Sequence, residues 1–131
     1  MAGSVPEDLK YTQDHEWARQ RQSVAVVGIT DHAQRQLGDV VFVELPEVGA
    51  RFEANEPFGS VESVKAVSEV FAPVAGEVIK VNEGLSESPE HLNDDPYGDG
   101  WLIEIRMTDA TPAPGLLTPA EYIAYTQEAD D

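Results

Sequence analysis

The chain has 131 residues, a length that suits one domain with a buried hydrophobic core. Hydrophobic residues make up 41% and cysteine is absent, which favours a globular fold and excludes disulfides, thiolate metal sites and catalysis by a protein thiol. The formal net charge of −17 would repel nucleic acid and anionic membranes and would favour basic protein partners.

The N-terminus, MAGSVPEDLKYTQDHEW, has neither the basic nor the apolar region of a signal peptide, and it is acidic, unlike a transit peptide. No long apolar run follows, so no membrane span is predicted. These features favour a cytoplasmic protein, with a matured organellar protein as the alternative. Residues 1–8 lack periodicity and are expected to form a loose arm.

Short apolar runs rich in β-branched residues, separated by turn-forming residues, predict a mainly β protein. The predicted strands are 17–21, 23–28, 39–45, 57–63, 67–71, 76–82 and 101–107. Thr30 is expected to cap a short helix that Gly38 ends, and residues 83–100 and 108–117 are expected to be loops. Many short strands with little helix favour a β-sandwich or a small barrel.

The segment T-P-A-E predicts the start of a C-terminal helix over 118–128. Thr118 suits the N-cap, and Glu121 closes a capping box with it. Three side chains of this helix are expected to pack partly against the sheet: Tyr122, Ile123 and Tyr125.

A short internal repeat marks the middle of the chain. G-D-V-V-F-V at 38–43 recurs as G-E-V-I-K-V at 76–81. The repeat predicts two related β-units that face each other, and the midpoint between them lies near residue 60, close to Lys65. Trp17 and Trp101 are expected to be packing residues rather than binding platforms.

Motifs for catalysis and metal binding are missing. His15-Glu16 begins like the zinc motif H-E-x-x-H, but residue 19 is arginine, and the three histidines share no ligand spacing. The acidic run 87–95 lacks the alternating oxygen ligands of a calcium loop. We therefore expect no metal site and no catalytic residue.

Lys65 is the candidate working residue. The run G-S-V-E-S-V-K-A-V-S-E-V at 59–70 predicts a hairpin with Val64 and Lys65 near its turn, although the turn lacks glycine, asparagine and aspartate. A lone lysine on a turn is ordinarily a solvated charge. Its place near the centre of the repeat and the scarcity of lysine, with only Lys10 and Lys80 besides, favour a specific role.

Several long motifs in a fixed order cover the chain from about Leu9 to Ala129. They are L-K-Y-T-Q-D-H-E-W, V-G-I-T-D-H-A-Q, L-G-D-V-V-F-V-E-L-P-E-V-G, V-E-S-V-K-A, P-V-A-G-E-V-I-K-V-N and D-P-Y-G-D-G-W-L-I. With these motifs the chain resembles the glycine cleavage H-protein family, the lipoyl carriers. V-E-S-V-K-A also differs from the M-K-M of biotin carriers and from the D-K-A of acyltransferase lipoyl domains.

The resemblance implies a barrel-sandwich hybrid of the lipoyl/biotinyl-carrier type, with short helices and a C-terminal helix, formed by residues 1–131 as one domain. This fold agrees with the internal repeat. The resemblance also implies that Lys65 carries lipoate through an amide bond, and that the protein is a carrier and not an enzyme. The cofactor would supply the sulfur chemistry, and the protein would position it.

The resemblance further implies a cycle with three partner enzymes. A PLP-dependent glycine decarboxylase (P protein) loads an aminomethyl group onto the arm. A folate-dependent aminomethyltransferase (T protein) removes the one-carbon unit and releases ammonia, and dihydrolipoyl dehydrogenase (L protein) reoxidises the dithiol. A lipoyl-attaching enzyme must act before them, and Glu62 is either part of its recognition surface or a solvated acid.

By position in the family, the loaded arm is expected to fold back into a cleft formed by Glu16 and Glu69, with Asp14 at its edge; the alternative for each is an ordinary surface acid. Carboxylates there would suit a protonated amine. Two other functions stay open. The chain could be a relay that passes lipoate to other lipoyl proteins, or a binding module that kept the fold without the lipoyl group.

Overall fold

The computed structural model describes residues 5–108 and 116–130. Within them, nine strands form two antiparallel sheets, one with the order β1-β2-β3-β9-β8-β5 and the other with the order β4-β6-β7. The strands are β1 (Lys10–Tyr11), β2 (Glu16–Arg21), β3 (Val24–Ile29), β4 (Val40–Glu44), β5 (Arg51–Phe52), β6 (Pro57–Ser63), β7 (Val67–Phe71), β8 (Gly76–Val81) and β9 (Ile103–Met107). The helices are α1 (Asp31–Leu37), α2 (Gly84–Glu87), α3 (His91–Asp94) and α4 (Pro119–Asp130).

The two sheets enclose one main apolar core. Apolar side chains of β3, β8 and β9 pack there against those of β4, β6 and β7, for example Val27, Val78, Ile105, Val43 and Val61. The two copies of the repeat form β4 and β8, which lie in different sheets on opposite sides of this core. This arrangement is the one that two related β-units facing each other would give.

The predicted strands are confirmed to within a few residues. Their runs of β-forming residues were long enough to detect in the sequence. β1 and β5 were not predicted, since two-residue strands have no periodicity to detect. Residues 83–100, expected to be a loop, contain α2 and α3, which bury Leu85 and Leu92 completely. Helices of one turn are too short to show a helical pattern in the sequence, so this prediction was wrong.

Both helix caps predicted from the sequence are confirmed. The Thr30 side chain accepts a hydrogen bond from the Ala33 backbone N–H at the start of α1, and Gly38 follows its last residue with φ of 80°. At α4, the Thr118 and Glu121 side chains each accept a hydrogen bond from the other's backbone N–H, at 3.2 and 2.9 Å.

The segment 9–17 and helix α4 share a second, smaller core of Leu9, Tyr11, Trp17 and Tyr122. Tyr122 of α4 is fully buried and Tyr125 is partly buried as expected, whereas Ile123 is 37% exposed. Of the expected loose arm, residues 1–4 lie outside the described range. Residues 5–8 are held in part, since the Tyr11 hydroxyl donates to the Pro6 carbonyl at 2.6 Å.

Trp17 is a packing residue, as predicted. Its indole is completely buried and its Nε1–H donates to the Pro96 carbonyl at 3.0 Å. The ring occupies the space beside Gly28, where a Cβ atom would lie only 2.6 Å away. Trp101 is partly exposed and lies under the Lys80 ammonium, 5.7 Å from Nζ to the ring centroid.

Candidate functional site

Lys65 lies in the exposed two-residue turn between β6 and β7. The last strand pair before the turn is Glu62 with Val67, and the Ser63 N–H then donates to the Ala66 carbonyl at 2.8 Å. Val64 and Lys65 keep negative φ, so the turn needs none of the glycine or asparagine residues that usually signal a hairpin.

The Ser63 side chain stabilises this turn through hydrogen bonds with its backbone. Its hydroxyl oxygen accepts hydrogen bonds from the backbone N–H groups of Lys65 and Ala66, at 3.3 and 3.1 Å, and it also contacts the Ala66 carbonyl at 3.3 Å. Ser63 is only 5% exposed. A buried hydroxyl that binds the turn amides holds the attachment point in one conformation, a role that the sequence analysis missed.

A second chain segment, residues 38–40, also holds the turn in place. The Val64 N–H donates to the Asp39 carbonyl at 3.1 Å. The lysine stem lies next to Gly38, where a Cβ would be 3.5 Å from Lys65 Cε, an ordinary van der Waals contact. Asn93 of α3 fixes this segment through its side-chain amide, which donates to the Gly38 carbonyl at 2.8 Å and accepts from the Val40 N–H at 2.9 Å.

A groove of about 310 Å³ opens beside the turn. Its lining combines small, apolar and polar side chains from three segments of the chain: Asp14, His15, Ala33, Gln36, Leu37, Ala66, Val67 and Ser68. Because Ala66 and Val67 directly follow Lys65, a long substituent on the lysine would leave the turn at the mouth of this groove.

The three expected cleft acids do not line one groove. Asp14 is exposed and lines the groove. Glu69 is exposed on β7 but lines a separate depression, next to Glu44 and Ser60. Glu16 is only 2% exposed and is not among the groove-lining residues, although its neighbours Asp14 and His15 are.

Glu16 is instead a buried link between the two sheets. Its carboxylate accepts hydrogen bonds from the Thr12 hydroxyl at 2.6 Å and, across to β7, from the Phe71 N–H at 3.1 Å. Burial raises the pKa of Glu16 to about 7, and the two hydrogen bonds only partly oppose this rise. Near neutral pH the carboxyl is therefore partly protonated.

Aromatic and histidine side chains cluster around His15, one of the groove-lining residues. His15 Nδ1 and the Tyr122 hydroxyl are 2.8 Å apart, and that hydroxyl lies 2.8 Å from Thr30 Oγ1. The ring centroids of His15 and His32 are 4.4 Å apart. Sequence spacing concealed this cluster, although the β2–β3 register, which pairs Glu16 with Ile29, brings His15 beside Thr30.

Within residues 5–108 and 116–130, no three histidine or acidic side chains are placed to hold a metal ion. No helix in the part that the structure describes is long and apolar enough to span a bilayer. What the site offers is an exposed amine on a fixed turn, next to a groove.

Comparison with known proteins agrees with this geometry. The family model described as "Glycine cleavage H-protein" matches residues 9–129. The chain belongs to the glycine cleavage H-protein family. Among its relatives, the glycine cleavage system H protein of Rubrobacter xylanophilus is 57% identical over 96% of this chain and 98% of its own length. That of Myxococcus xanthus is 51% identical over 98% of this chain and 100% of its own.

The crystal structure of a glycine cleavage system H protein from Mycobacterium marinum superposes with a TM-score of 0.88 at 40% identity, covering 94% of this chain and 99% of that one. The barrel-sandwich fold expected from the sequence is thereby confirmed. The H-protein family is one of carriers rather than enzymes, and it implies a lipoyl cofactor and the other components of the glycine cleavage system as partners. The exposed amine of Lys65 and the adjoining groove fit such a cofactor.

Proposed function

We propose that this chain is the lipoyl carrier of the glycine cleavage system, with lipoate joined to Lys65 Nζ through an amide bond. The observation that carries the proposal is the exposed lysine on a turn fixed by Ser63 and Asp39, in a chain of the H-protein family. When bound, the lipoyl group supplies the reactive sulfurs, which the chain lacks because it has no cysteine.

The protein's contribution is to hold and present the arm. Lys10 and Lys80 are also exposed, but Lys10 lies in β1, and the Lys80 ammonium packs on Trp101. Lys65 instead lies in an exposed turn beside the groove. A tethered arm raises the local concentration of its load at each partner, in place of free diffusion.

The specific partners that we propose are the P protein, which loads the arm, the T protein, which unloads it, and the L protein, which reoxidises it. A lipoyl-attaching enzyme acts before them, and Glu62, exposed three residues before Lys65, belongs to the surface that it recognises. We further propose that residues 1–131 act as one domain and, as suits the bacterial relatives, in the cytoplasm.

The groove beside Lys65 is proposed to shelter the distal end of the arm. Asp14 is the carboxylate in the groove lining that can pair with a protonated amine on that end. Glu16 follows the groove-lining His15 in the chain and links the two sheets through its bonds to Thr12 and Phe71. Glu69 contributes negative charge at the rim, from the neighbouring depression.

Reconstitution with the P, T and L proteins tests the function. Glycine decarboxylation should depend on the lipoylated chain, should be abolished by Lys65→Arg, and should be retained by Lys80→Arg, which changes an exposed lysine away from the turn. Failure of the lipoylated wild type in this assay, together with intact transfer of lipoate to another lipoyl protein, would favour the relay function instead.

A further inference from the structure

β4 exposes two consecutive apolar residues, Val41 and Phe42. In a regular strand, consecutive side chains point to opposite faces of the sheet. In the run D-V-V-F-V, Val40 pairs with Ser63 and Phe42 pairs with Glu62, so Val41 is an extra residue in a β-bulge. As a result Val41 and Phe42 both face outward, 49% and 52% exposed, while Val40 and Val43 stay buried.

The bulge places Phe42 in a short row next to the lysine turn. Phe42 on β4, Glu62 on β6 and Val67 on β7 are direct cross-strand partners, so their side chains lie on one face of the sheet. Val67 is 67% exposed. This row is the last one before the turn, where Val64 is 71% exposed and Lys65 follows.

The next row on the same face is acidic. Glu44, Ser60 and Glu69 pair across the three strands, and both glutamates are exposed. We call the two rows together with Val41 the β4–β6–β7 face. Its residues are Val41, Phe42, Glu44, Ser60, Glu62, Val67 and Glu69. Its apolar side chains lie on the outer strands β4 and β7, on either side of Glu62, and the face has three carboxylates and no basic residue.

We propose that the β4–β6–β7 face is the docking surface for the enzyme that acylates Lys65, and that this enzyme meets it with apolar side chains interspersed with lysine and arginine. The inference rests on the proposed function. An exposed aromatic residue brought outward by a bulge is typical of an interface anchor, and carboxylates beside it call for a basic partner.

Reach decides between the enzymes that act on Lys65. The acylating enzyme must bring Nζ itself into its active site, and the lysine stem has only four carbons, so the enzyme must cover the strand row next to the turn. Enzymes that act on the far end of the arm can dock farther away. A second copy of this chain is disfavoured because each copy carries a net charge of −17.

The reaction served by this face is an acyl transfer. The neutral Lys65 amine attacks the carbonyl carbon of an activated acyl donor, an acyl adenylate, and an amide bond forms. The bond from the carbonyl carbon to the phosphate oxygen breaks, and the nucleoside monophosphate leaves with the electron pair. The proton lost from Nζ passes to solvent.

Phe42→Ala tests the inference, with Val48→Ala as the matched control. Val48 is 61% exposed and follows the opposite end of β4 from the turn, so it removes exposed apolar surface without touching the face. Acylation of the apo protein would be measured with a lipoate–protein ligase, lipoate and ATP. We expect kcat/KM to fall at least tenfold for Phe42→Ala, chiefly through KM, and to stay within twofold for Val48→Ala.

Two further variants keep the test independent of folding. Val67→Ser should also lower kcat/KM severalfold. A Glu44→Gln and Glu69→Gln double variant should weaken the fall in kcat/KM that added salt causes in the wild type. The unfolding midpoint in urea and the far-UV circular dichroism spectrum of each variant would show that the fold is retained.

Equal kcat/KM for Phe42→Ala and Val48→Ala would overturn the inference while leaving the carrier function intact. So would a Phe42→Ala variant that is acylated normally but, once lipoylated, is slow with the P protein, because the face would then serve that partner. Loss of a dimer on Phe42→Ala would assign the face to self-association. A wild type that is never acylated at Lys65 would refute the proposed function itself.

Discussion

Replacing Glu16 by glutamine is expected to remove much of the pH dependence of the protein's stability between about pH 4.5 and 7. The Glu16 carboxyl is 2% exposed, and burial raises its pKa from an ordinary 4.5 to about 7. In this pH range the folded protein keeps a proton that the unfolded chain releases. The free energy of unfolding therefore falls as the pH rises, and the loss is complete above the folded pKa.

The size of the effect follows from the pKa difference. One pKa unit corresponds to about 1.4 kcal/mol, so a rise from 4.5 to about 7 lowers the stability at pH 8 by roughly 3 kcal/mol relative to pH 4. Glutamine has nearly the same shape and does not titrate. Its carbonyl oxygen can still accept one of the two hydrogen bonds, from Thr12 or from Phe71.

Urea denaturation between pH 4 and 8 measures the difference. We expect the wild type to lose roughly 3 kcal/mol more than Glu16→Gln across this range. All other ionisable groups are common to both proteins and cancel in the comparison. Glu69→Gln is the control, because Glu69 is exposed, and it should follow the wild-type profile. Parallel curves for wild type and Glu16→Gln would refute the reasoning.

Three further changes are expected to lower the free energy of unfolding, as measured in urea at pH 7. Ser63→Ala removes the hydroxyl that binds the Lys65 and Ala66 amides, and should cost about 1–2 kcal/mol and slow lipoylation. Gly28→Ala places a Cβ 2.6 Å from the Trp17 indole, and should cost about 1–3 kcal/mol. Thr118→Ala removes the N-cap of α4, and should cost about 1 kcal/mol.

Matched controls exist for these changes. Ser86→Ala alters an exposed serine of α2, and Gly84→Ala adds a Cβ whose nearest neighbour, Asn82 Oδ1, lies 3.4 Å away. Both should leave the stability close to that of the wild type. If Ser63→Ala were as stable as Ser86→Ala and were lipoylated at the wild-type rate, the hydroxyl would not hold the turn.

Local sequence signals predicted the regular parts of the fold. The strands, the cap of α1 by Thr30 and the capping box of Thr118 with Glu121 follow from side-chain chemistry within a few residues. The internal repeat correctly placed β4 and β8 in opposing sheets. The one-turn helices of 83–100 escaped prediction because their stability comes from burying Leu85 and Leu92 in the main core, which is a tertiary effect.

The candidate site was predictable only in part. Lys65 stood out through its scarcity and position, but its turn lacks glycine, asparagine and aspartate. The Ser63 hydroxyl holds the turn through local hydrogen bonds, and the Asp39 carbonyl holds it through a tertiary one. The exposure of Phe42 depends on a bulge that no local pattern encodes. The burial of Glu16 depends on β7, which lies more than 50 residues away along the chain.

The central claim is that Lys65 carries the lipoyl arm. Intact-mass measurement of the protein from lipoate-replete cells, followed by peptide mapping, tests it most directly. The account predicts a gain of one lipoyl group, located at Lys65, which Lys65→Arg abolishes and Lys80→Arg retains. A wild-type chain that stays unmodified at Lys65 under these conditions would contradict the account.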